Sequence, residues 1–112
     1  MFLHTYKSNS GRDMIMEYID SLSVPEQVDA FSVLECMGNG EFDKLLFKQW
    51  SKKVYEVYFR KHNRIFYITV DNKDIYLLHA CRKQKNRTEK TDKKIVISRA
   101  KELGTLLGKT FI

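Results

Sequence analysis

Three side chains in the middle of the chain are spaced so that together they could act on a phosphate ester. Glu56, Tyr58 and Arg60 alternate with apolar residues, so in a β-strand all three lie on one face. A carboxylate, a phenol and a guanidinium in a row can supply a proton acceptor, a stacking surface and a phosphate clamp. The same pattern is equally typical of a ladder of ion pairs on a solvated face, and the residues alone leave both interpretations open.

Further cations follow this segment along the chain. Arg64 comes soon after Arg60, across a short polar turn. Guanidinium groups that lie close together repel unless an anion sits between them, so a phosphate or carboxylate partner is expected there. A basic run beyond the next strand comprises Arg82, Lys83, Lys85 and Arg87. Such a run is usual in a solvated loop, but beside the open face of a sheet it could contact RNA phosphates.

Metal and cofactor chemistry finds little support in the sequence. Cys36 and Cys81 form no metal-ligand spacing, and both are expected to be reduced, inert thiols. A two-metal nuclease needs several converging carboxylates, whereas the basic half of the chain offers mainly Glu56. No metal and no cofactor are therefore predicted. His79 lies in an apolar segment, where a lone histidine is more often a core residue than a catalyst, and it is a secondary candidate for RNA contact.

Charge is divided unevenly along the chain, although the formal net charge is only +6. Residues 1–47 hold three Lys/Arg and eight Asp/Glu, while residues 48–112 hold seventeen Lys/Arg and six Asp/Glu. This asymmetry predicts an acidic half and a basic half with different partners, the basic half being suited to nucleic acid. No apolar run is long enough for a signal peptide or a membrane span. A cytoplasmic protein with no membrane contact is expected.

Hydrophobic patterning predicts the elements that carry these residues. Alternating apolar residues indicate three strands, in 54–60, 63–70 and 74–81, which short polar turns would join as an antiparallel meander. A short first strand is predicted in 2–6, and residues 41–53 are predicted to be irregular. Three helices are predicted as well, so the element order is β-α-α-β-β-β-α. This order favours a single α+β domain over 1–112, with helices on one face of the sheet and the other face partly open.

The helices are predicted from apolar residues at helical spacing. The first carries Met14, Ile15, Tyr18, Ile19 and Leu22. The second begins with Ser23 as a possible N-cap, and its predicted core stripe is Val28, Phe31, Leu34 and Met37, with Val33 off the stripe. The third, capped by Thr91 and Asp92, carries Ile95, Val96, Ala100, Leu103 and Leu107.

An ordered set of segments resembles the RelE/ParE toxin superfamily, in its HigB-like, phage-derived branch. Segments 55–57, 64–67 and 77–83, followed by the helix through residue 100, match the order of strand and helix motifs in that group. The resemblance covers nearly the whole chain. It implies a RelE-like fold, in which two N-terminal helices pack on an antiparallel sheet that is followed by a C-terminal helix.

The resemblance also implies an activity and partners. It implies the toxin of a type II toxin–antitoxin system: a metal-independent, ribosome-dependent endoribonuclease (mRNA interferase) that inhibits translation and uses the RNA 2′-OH as nucleophile. The partners implied are the ribosome, mRNA and a cognate helix-turn-helix antitoxin, through which alone the toxin would meet operator DNA. The family arginine falls on Arg64, and the cation after the strand falls on Lys83, with Arg82 alongside.

The proton acceptor and the activity class stay open at this point. Arginine occurs at Arg60 rather than at the position of Tyr58, where the family carries it, so Glu56, Tyr58 and His79 are all candidate acceptors. Two other activities fit the same fold: a non-catalytic, ParE-like gyrase inhibitor and a plain ribosome- or RNA-binding module. The cations favour cleavage, because poisoning gyrase by protein contact needs no phosphate cradle.

Two modes of inhibition by an antitoxin are also open. Acidic side chains of the antitoxin could neutralise Arg60, Arg64 and Lys83, or the antitoxin could dock on the acidic helical half and exclude the ribosome sterically. The charge distribution favours the first mode, whereas the apolar edges of the two N-terminal helices suit the second.

Overall fold

A five-stranded mixed sheet with helices on both faces forms the framework of the protein in a computed structural model that describes residues 1–83 and 88–112. The elements in chain order are β1 (Phe2–Thr5), α1 (Met14–Asp20), α2 (Val24–Gly38), a 3₁₀ turn (Phe42–Lys44), β2 (Leu46–Ser51), β3 (Val54–Phe59), β4 (Asn63–Val70), β5 (Asp74–Arg82) and α3 (Lys90–Leu107). The α+β class is confirmed, but the predicted element order lacks β2.

The strands lie in the order β1-β5-β4-β3-β2. The predicted meander of β3, β4 and β5 is confirmed as antiparallel. Its turns have positive φ at Lys61, His62, Asp71 and Asn72, which are the two central positions of each tight hairpin. β1 was predicted, but it pairs parallel to β5, so the expectation of a wholly antiparallel sheet is wrong.

Residues 41–53 are not irregular, as the sequence predicted. They form the 3₁₀ turn and then β2, which pairs antiparallel to β3 at the edge of the sheet. Most of β2 is exposed. Because little of this edge strand is buried, its sequence need not alternate apolar and polar residues. Lys48 of β2 lies directly opposite Glu56 of β3, so the missed strand brings an unexpected cation to the predicted site.

The protein has two cores, one on each face of the sheet. Helices α1 and α2 cover the first face, where Ile15, Val33 and Val57 are buried together. Helix α3 covers part of the second face, with Val96 packed among residues such as Phe66. The prediction that the helices share one face is therefore wrong. A cleft lies on the second face beside the N-terminus of α3, and Glu56, Arg64 and Lys83 meet next to it, largely buried.

Helix α2 turns a different face to the sheet from the one that its apolar spacing predicted. Its buried residues are Glu26, Ala30, Val33 and Met37. Val28 and Phe31, predicted to be core, are 62% and 47% exposed. The rotation follows from a polar anchor, because the buried carboxylate of Glu26 accepts hydrogen bonds from Asn63 and Arg82 at 2.8 and 2.6 Å.

Helix α3 begins one residue before its predicted cap. Its N-cap residue is Glu89, whose side chain makes no capping hydrogen bond, and Asp92 lies inside the first turn. The helix ends at Gly108, which adopts the left-handed conformation with φ 66°. Among the residues that the structure describes, every helix is too short or too polar to cross a bilayer.

Candidate active site

One carboxylate, that of Glu56, gathers three cations on the second face of the sheet. Lys83 Nζ lies 3.3 Å and 3.4 Å from its two oxygens. Lys48 Nζ lies 3.4 Å from Oε1, and Arg64 Nε lies 3.7 Å from the same atom. The Glu56 side chain is fully buried and that of Lys83 is 2% exposed, whereas that of Lys48 is 50% exposed. Three cations around one anion leave a positive excess that a phosphate group can neutralise.

Arg64 is held ready to bind an anion by the strands beside it. Its guanidinium carbon lies 4.6 Å from the centre of the Tyr58 ring, and Tyr58 is its direct neighbour across β3 and β4. Among the side chains that the structure describes, Nε of Arg64 has no hydrogen-bond partner, because Glu56 is too distant at 3.7 Å. An orphaned, nearly buried guanidinium donor is costly to leave unpaired, and an incoming phosphate oxygen would satisfy it.

A cleft of about 860 Å³ lies beside the cluster, between β2 and the N-terminus of α3. The basic and aromatic residues that line it include Lys48, Trp50, Lys83, Lys90 and Lys93. The positive end of the α3 dipole adds to these charges, and Glu89 is the acidic side chain among the described residues that line the cleft. The cleft can therefore take a polyanion, and Trp50, the one tryptophan of the chain, offers a stacking surface for bases.

The sequence profile of phage-derived Gp49-like proteins (DUF891) matches residues 17–101, from α1 into α3. The chain belongs to this family. The matched region includes Glu56 and its three cationic partners, Lys48, Arg64 and Lys83. A search of the curated proteins found no match.

In this Gp49-like chain, His79 faces the same side as Glu56 but both of its ring nitrogens are engaged. Nε2 lies 2.8 Å from the Asp92 carboxylate, and Nδ1 lies 3.4 Å from Nη1 of Arg99. An arginine can only donate, so Nδ1 accepts and the proton of the neutral ring sits on Nε2, which donates to Asp92. Burial lowers the pKa of His79, which keeps the ring neutral. The arrangement fixes α3 on β5 and leaves no free lone pair towards the cleft.

The fold also brings His79, Cys81 and Asp92 together, with one ligand atom of each within 4.8 Å of the others. Spacing along the chain could not predict this group, because Asp92 comes from α3. A metal would need the lone pair of Nε2 and a thiolate. Nε2 carries the proton shared with Asp92, and burial raises the pKa of Cys81 to about 12. The surroundings of His79, Cys81 and Asp92 therefore favour the hydrogen-bonded arrangement over metal binding.

Two predicted site residues lie away from the cluster. Arg60 follows β3 and pairs with Asp29 of α2 at 2.6 Å, on the first face of the sheet, so the predicted pairing of Arg60 with Arg64 around one anion is wrong. Arg82 also turns towards α2 and pairs with Glu26 at 2.6 Å, because it alternates with Cys81 and Lys83 along the strand. Its predicted place beside Lys83 is corrected to a structural ion pair.

Lys85 and Arg87, the remaining predicted RNA contacts, lie outside the described residues. Lys48 and Trp50 are the site residues that the sequence did not reveal. Strand β2 supplies both, and its sequence shows no alternation of apolar and polar residues that could have marked it as a strand.

The ion pair of Arg82 predicts a specific acid sensitivity. The hydrogen bond from Asn63, with further support from Ser23 and the charge of Arg82, lowers the pKa of Glu26 to about 2 from its usual 4.5. A depressed carboxylate pKa in the folded state stabilises the protein above the unfolded pKa, and this contribution is lost as pH falls through the folded one. We expect the wild type to lose stability between about pH 4.5 and pH 2 more steeply than Glu26→Gln, in urea unfolding followed by circular dichroism.

A matched control for this prediction is Glu35→Gln, which alters an exposed carboxylate on the opposite face of the same helix. Its acid profile should follow that of the wild type. Equal slopes for the wild type and Glu26→Gln would contradict the assigned role of Glu26.

Proposed function

We propose that this chain is the toxin of a type II toxin–antitoxin system, a HigB-like member of the RelE/ParE superfamily that cleaves mRNA on the ribosome. Membership of a phage-derived family is compatible with such a toxin. The observation that carries the proposal is the cluster of Lys48, Arg64 and Lys83 around a single buried carboxylate, at the mouth of a basic cleft. Gyrase inhibition by protein contact would not require these cations.

The reaction needs no bound metal in this scheme, because RNA supplies its own nucleophile. The 2′-oxygen attacks the adjacent phosphorus, the bond from phosphorus to the 5′-oxygen breaks, and the products are a 2′,3′-cyclic phosphate and a 5′-hydroxyl. The phosphorane passed on the way carries extra negative charge. Arg64 and Lys83 are held by their contacts with Tyr58 and Glu56. Arg64 can therefore meet this charge with little reorganisation, whereas Lys83, whose side chain is only 2% exposed, reaches it once Lys48 has moved aside.

Of the three candidate proton acceptors, Glu56 fits best. The ring nitrogens of His79 are both engaged, and the ring of Tyr58 is covered by Arg64. Lys48 is the most exposed partner of Glu56, so it can shift onto an RNA phosphate and free one side of Oε1, which Lys83 and Arg64 still approach at 3.3 and 3.7 Å. Glu56 would then accept the proton of the 2′-OH, while the leaving 5′-oxygen takes a proton from water or from Lys83.

Defined cleavage assays test this proposal. The purified protein is added to programmed ribosomes with their magnesium retained, and the mRNA ends are mapped by primer extension and by end-group analysis. We expect cuts that depend on the ribosome and leave a 2′,3′-cyclic or 3′-phosphate. A 3′-hydroxyl product would overturn the metal-free mechanism, because it indicates attack by water. Intact mRNA together with inhibited DNA supercoiling would favour the gyrase alternative.

The proposed function also implies a partner protein. A helix-turn-helix antitoxin encoded beside this gene should hold the toxin inactive and link it to operator DNA. Expression of the toxin alone should arrest growth, and co-expression of the neighbouring protein should relieve the arrest.

A further inference from the structure

Helix α2 carries an apolar stripe that no other part of the described chain covers. Val24, Val28 and Phe31 are 71%, 62% and 47% exposed, and their spacing of four and three residues puts them in one row along the helix. The opposite side of the helix already packs on the sheet through Ala30, Val33 and Met37. Single exposed apolar residues are ordinary, but a continuous row of large ones on one helix face indicates a contact surface.

The charge beside this α2 stripe (Val24, Val28, Phe31) is negative. Glu35 follows Phe31 by one turn on the same row and is exposed. Asp20, the exposed last residue of α1, lies close to the start of α2, because the side chain of Gln27 donates to its backbone carbonyl oxygen at 3.2 Å. The surface therefore repels RNA phosphates and anionic lipid headgroups, and it attracts a segment that presents lysine or arginine.

A second copy of this chain does not fit the α2 stripe face to face. Two copies meeting through α2 would bring Glu35 and Asp20 of each against an equally acidic surface, at the cost of like-charge repulsion. The fitting occupant is an amphipathic helix of another protein, whose apolar row packs on Val28 and Phe31 and whose flanking basic residues face Glu35 and Asp20.

We infer that the α2 stripe is the docking surface for the antitoxin, and that the antitoxin meets it with an amphipathic helix bordered by lysine or arginine. The partner's identity rests on the proposed function, whereas the surface rests on the exposed residues. Helix α2 lies on the face of the sheet opposite to the cleft. An antitoxin docked there leaves the cluster around Glu56 uncovered and inhibits by keeping the toxin out of the ribosome.

The test compares a double variant of α2 and a single control variant of α3 with the wild type. Val28→Ser together with Phe31→Ser should weaken binding of the protein encoded beside this gene by roughly 10- to 100-fold, since two central anchors are lost. Leu106→Ser is the matched control, because Leu106 is 79% exposed on α3, on the other face of the sheet. Binding is measured by titration calorimetry, and mRNA cleavage without antitoxin is measured in parallel.

Each outcome decides one of the two questions. Weaker binding by the α2 double variant, with unchanged cleavage and unchanged binding by Leu106→Ser, supports the docking surface. Unchanged binding by the double variant, with a loss on Lys48→Ala or Lys93→Ala, overturns it and places the antitoxin in the cleft, while the proposed activity stands. No binding to the wild type also overturns it. Binding through Val28 and Phe31 to a wild type that never cleaves mRNA keeps the surface and overturns the proposed function.

Discussion

Replacing Arg64 by alanine should lower the rate of ribosome-dependent mRNA cleavage by roughly 10²- to 10³-fold, the usual cost of losing one preorganised contact to the transition state. Nε of Arg64 has no hydrogen-bond partner among the described residues, and its guanidinium lies over Tyr58, so Arg64 meets the phosphorane with little reorganisation. The loss should appear in kcat more than in KM, since the contact strengthens as negative charge develops. Single-turnover cleavage on programmed ribosomes measures it.

Lys83 should behave alike, but its substitution needs more care. A basic run such as the one that holds Lys83 is usual in a solvated loop, whereas the structure shows a side chain only 2% exposed. Lys83→Met keeps most of the buried volume and is the better variant, with Glu56 still paired to Lys48 and Arg64. Lys73→Ala, in an exposed turn, is the matched control and should cleave as the wild type does. Full-rate cleavage by both the Arg64 and Lys83 variants would refute the site.

Strand parity explains which parts of this site could be predicted. The hairpins of β3, β4 and β5 are local and clearly patterned, so their boundaries and the shared face of Glu56 and Tyr58 followed from alternation. Arg60 did not, because it lies past the end of β3, where the turn frees its side chain to reach Asp29. Arg82 follows the alternation of the strand and lies on the opposite face from Lys83. Strict use of this rule would have separated the two residues in the prediction.

Other features depended on long-range packing that local pattern does not encode. The parallel pairing of β1 with β5 joins segments some 70 residues apart. Helix α2 has apolar residues on two faces, and the anchoring of Glu26 by Asn63 and Arg82 decides which face is buried. Lys48 was missed because β2 is an exposed edge strand, whose sequence lacks the alternation expected of a half-buried one. The cluster thus depends on four neighbouring strands, since Lys48, Glu56 and Arg64 lie in β2, β3 and β4 and Lys83 directly follows β5.

Glu56 should prove essential to stability as well as to cleavage, and the two roles can be separated. Glu56→Gln leaves the buried ammonium of Lys83 without its counter-ion, and an uncompensated buried charge costs about 3–5 kcal/mol. We expect a loss of that order in urea unfolding, compared with the small effect of breaking the exposed pair of Arg12 and Glu17 by Glu17→Gln. Cleavage should fall as well, because the amide neither accepts the proton nor holds the cations in place.

The double variant Glu56→Gln with Lys83→Met separates charge compensation from chemistry. Removing both members of the buried pair removes the uncompensated charge of Lys83, while Arg64 and the half-exposed Lys48 lose their contact with Glu56 in both variants, and replacing such a pair by groups of similar volume is often neutral or stabilising. The double variant should therefore regain most of the stability that Glu56→Gln loses, a coupling that a double-mutant cycle measures directly. Cleavage should stay at least roughly 10²-fold below the wild type, because the transition-state contact is still missing. Recovery of cleavage together with stability would show that Glu56 and Lys83 are structural and that the chemistry lies elsewhere in the cleft.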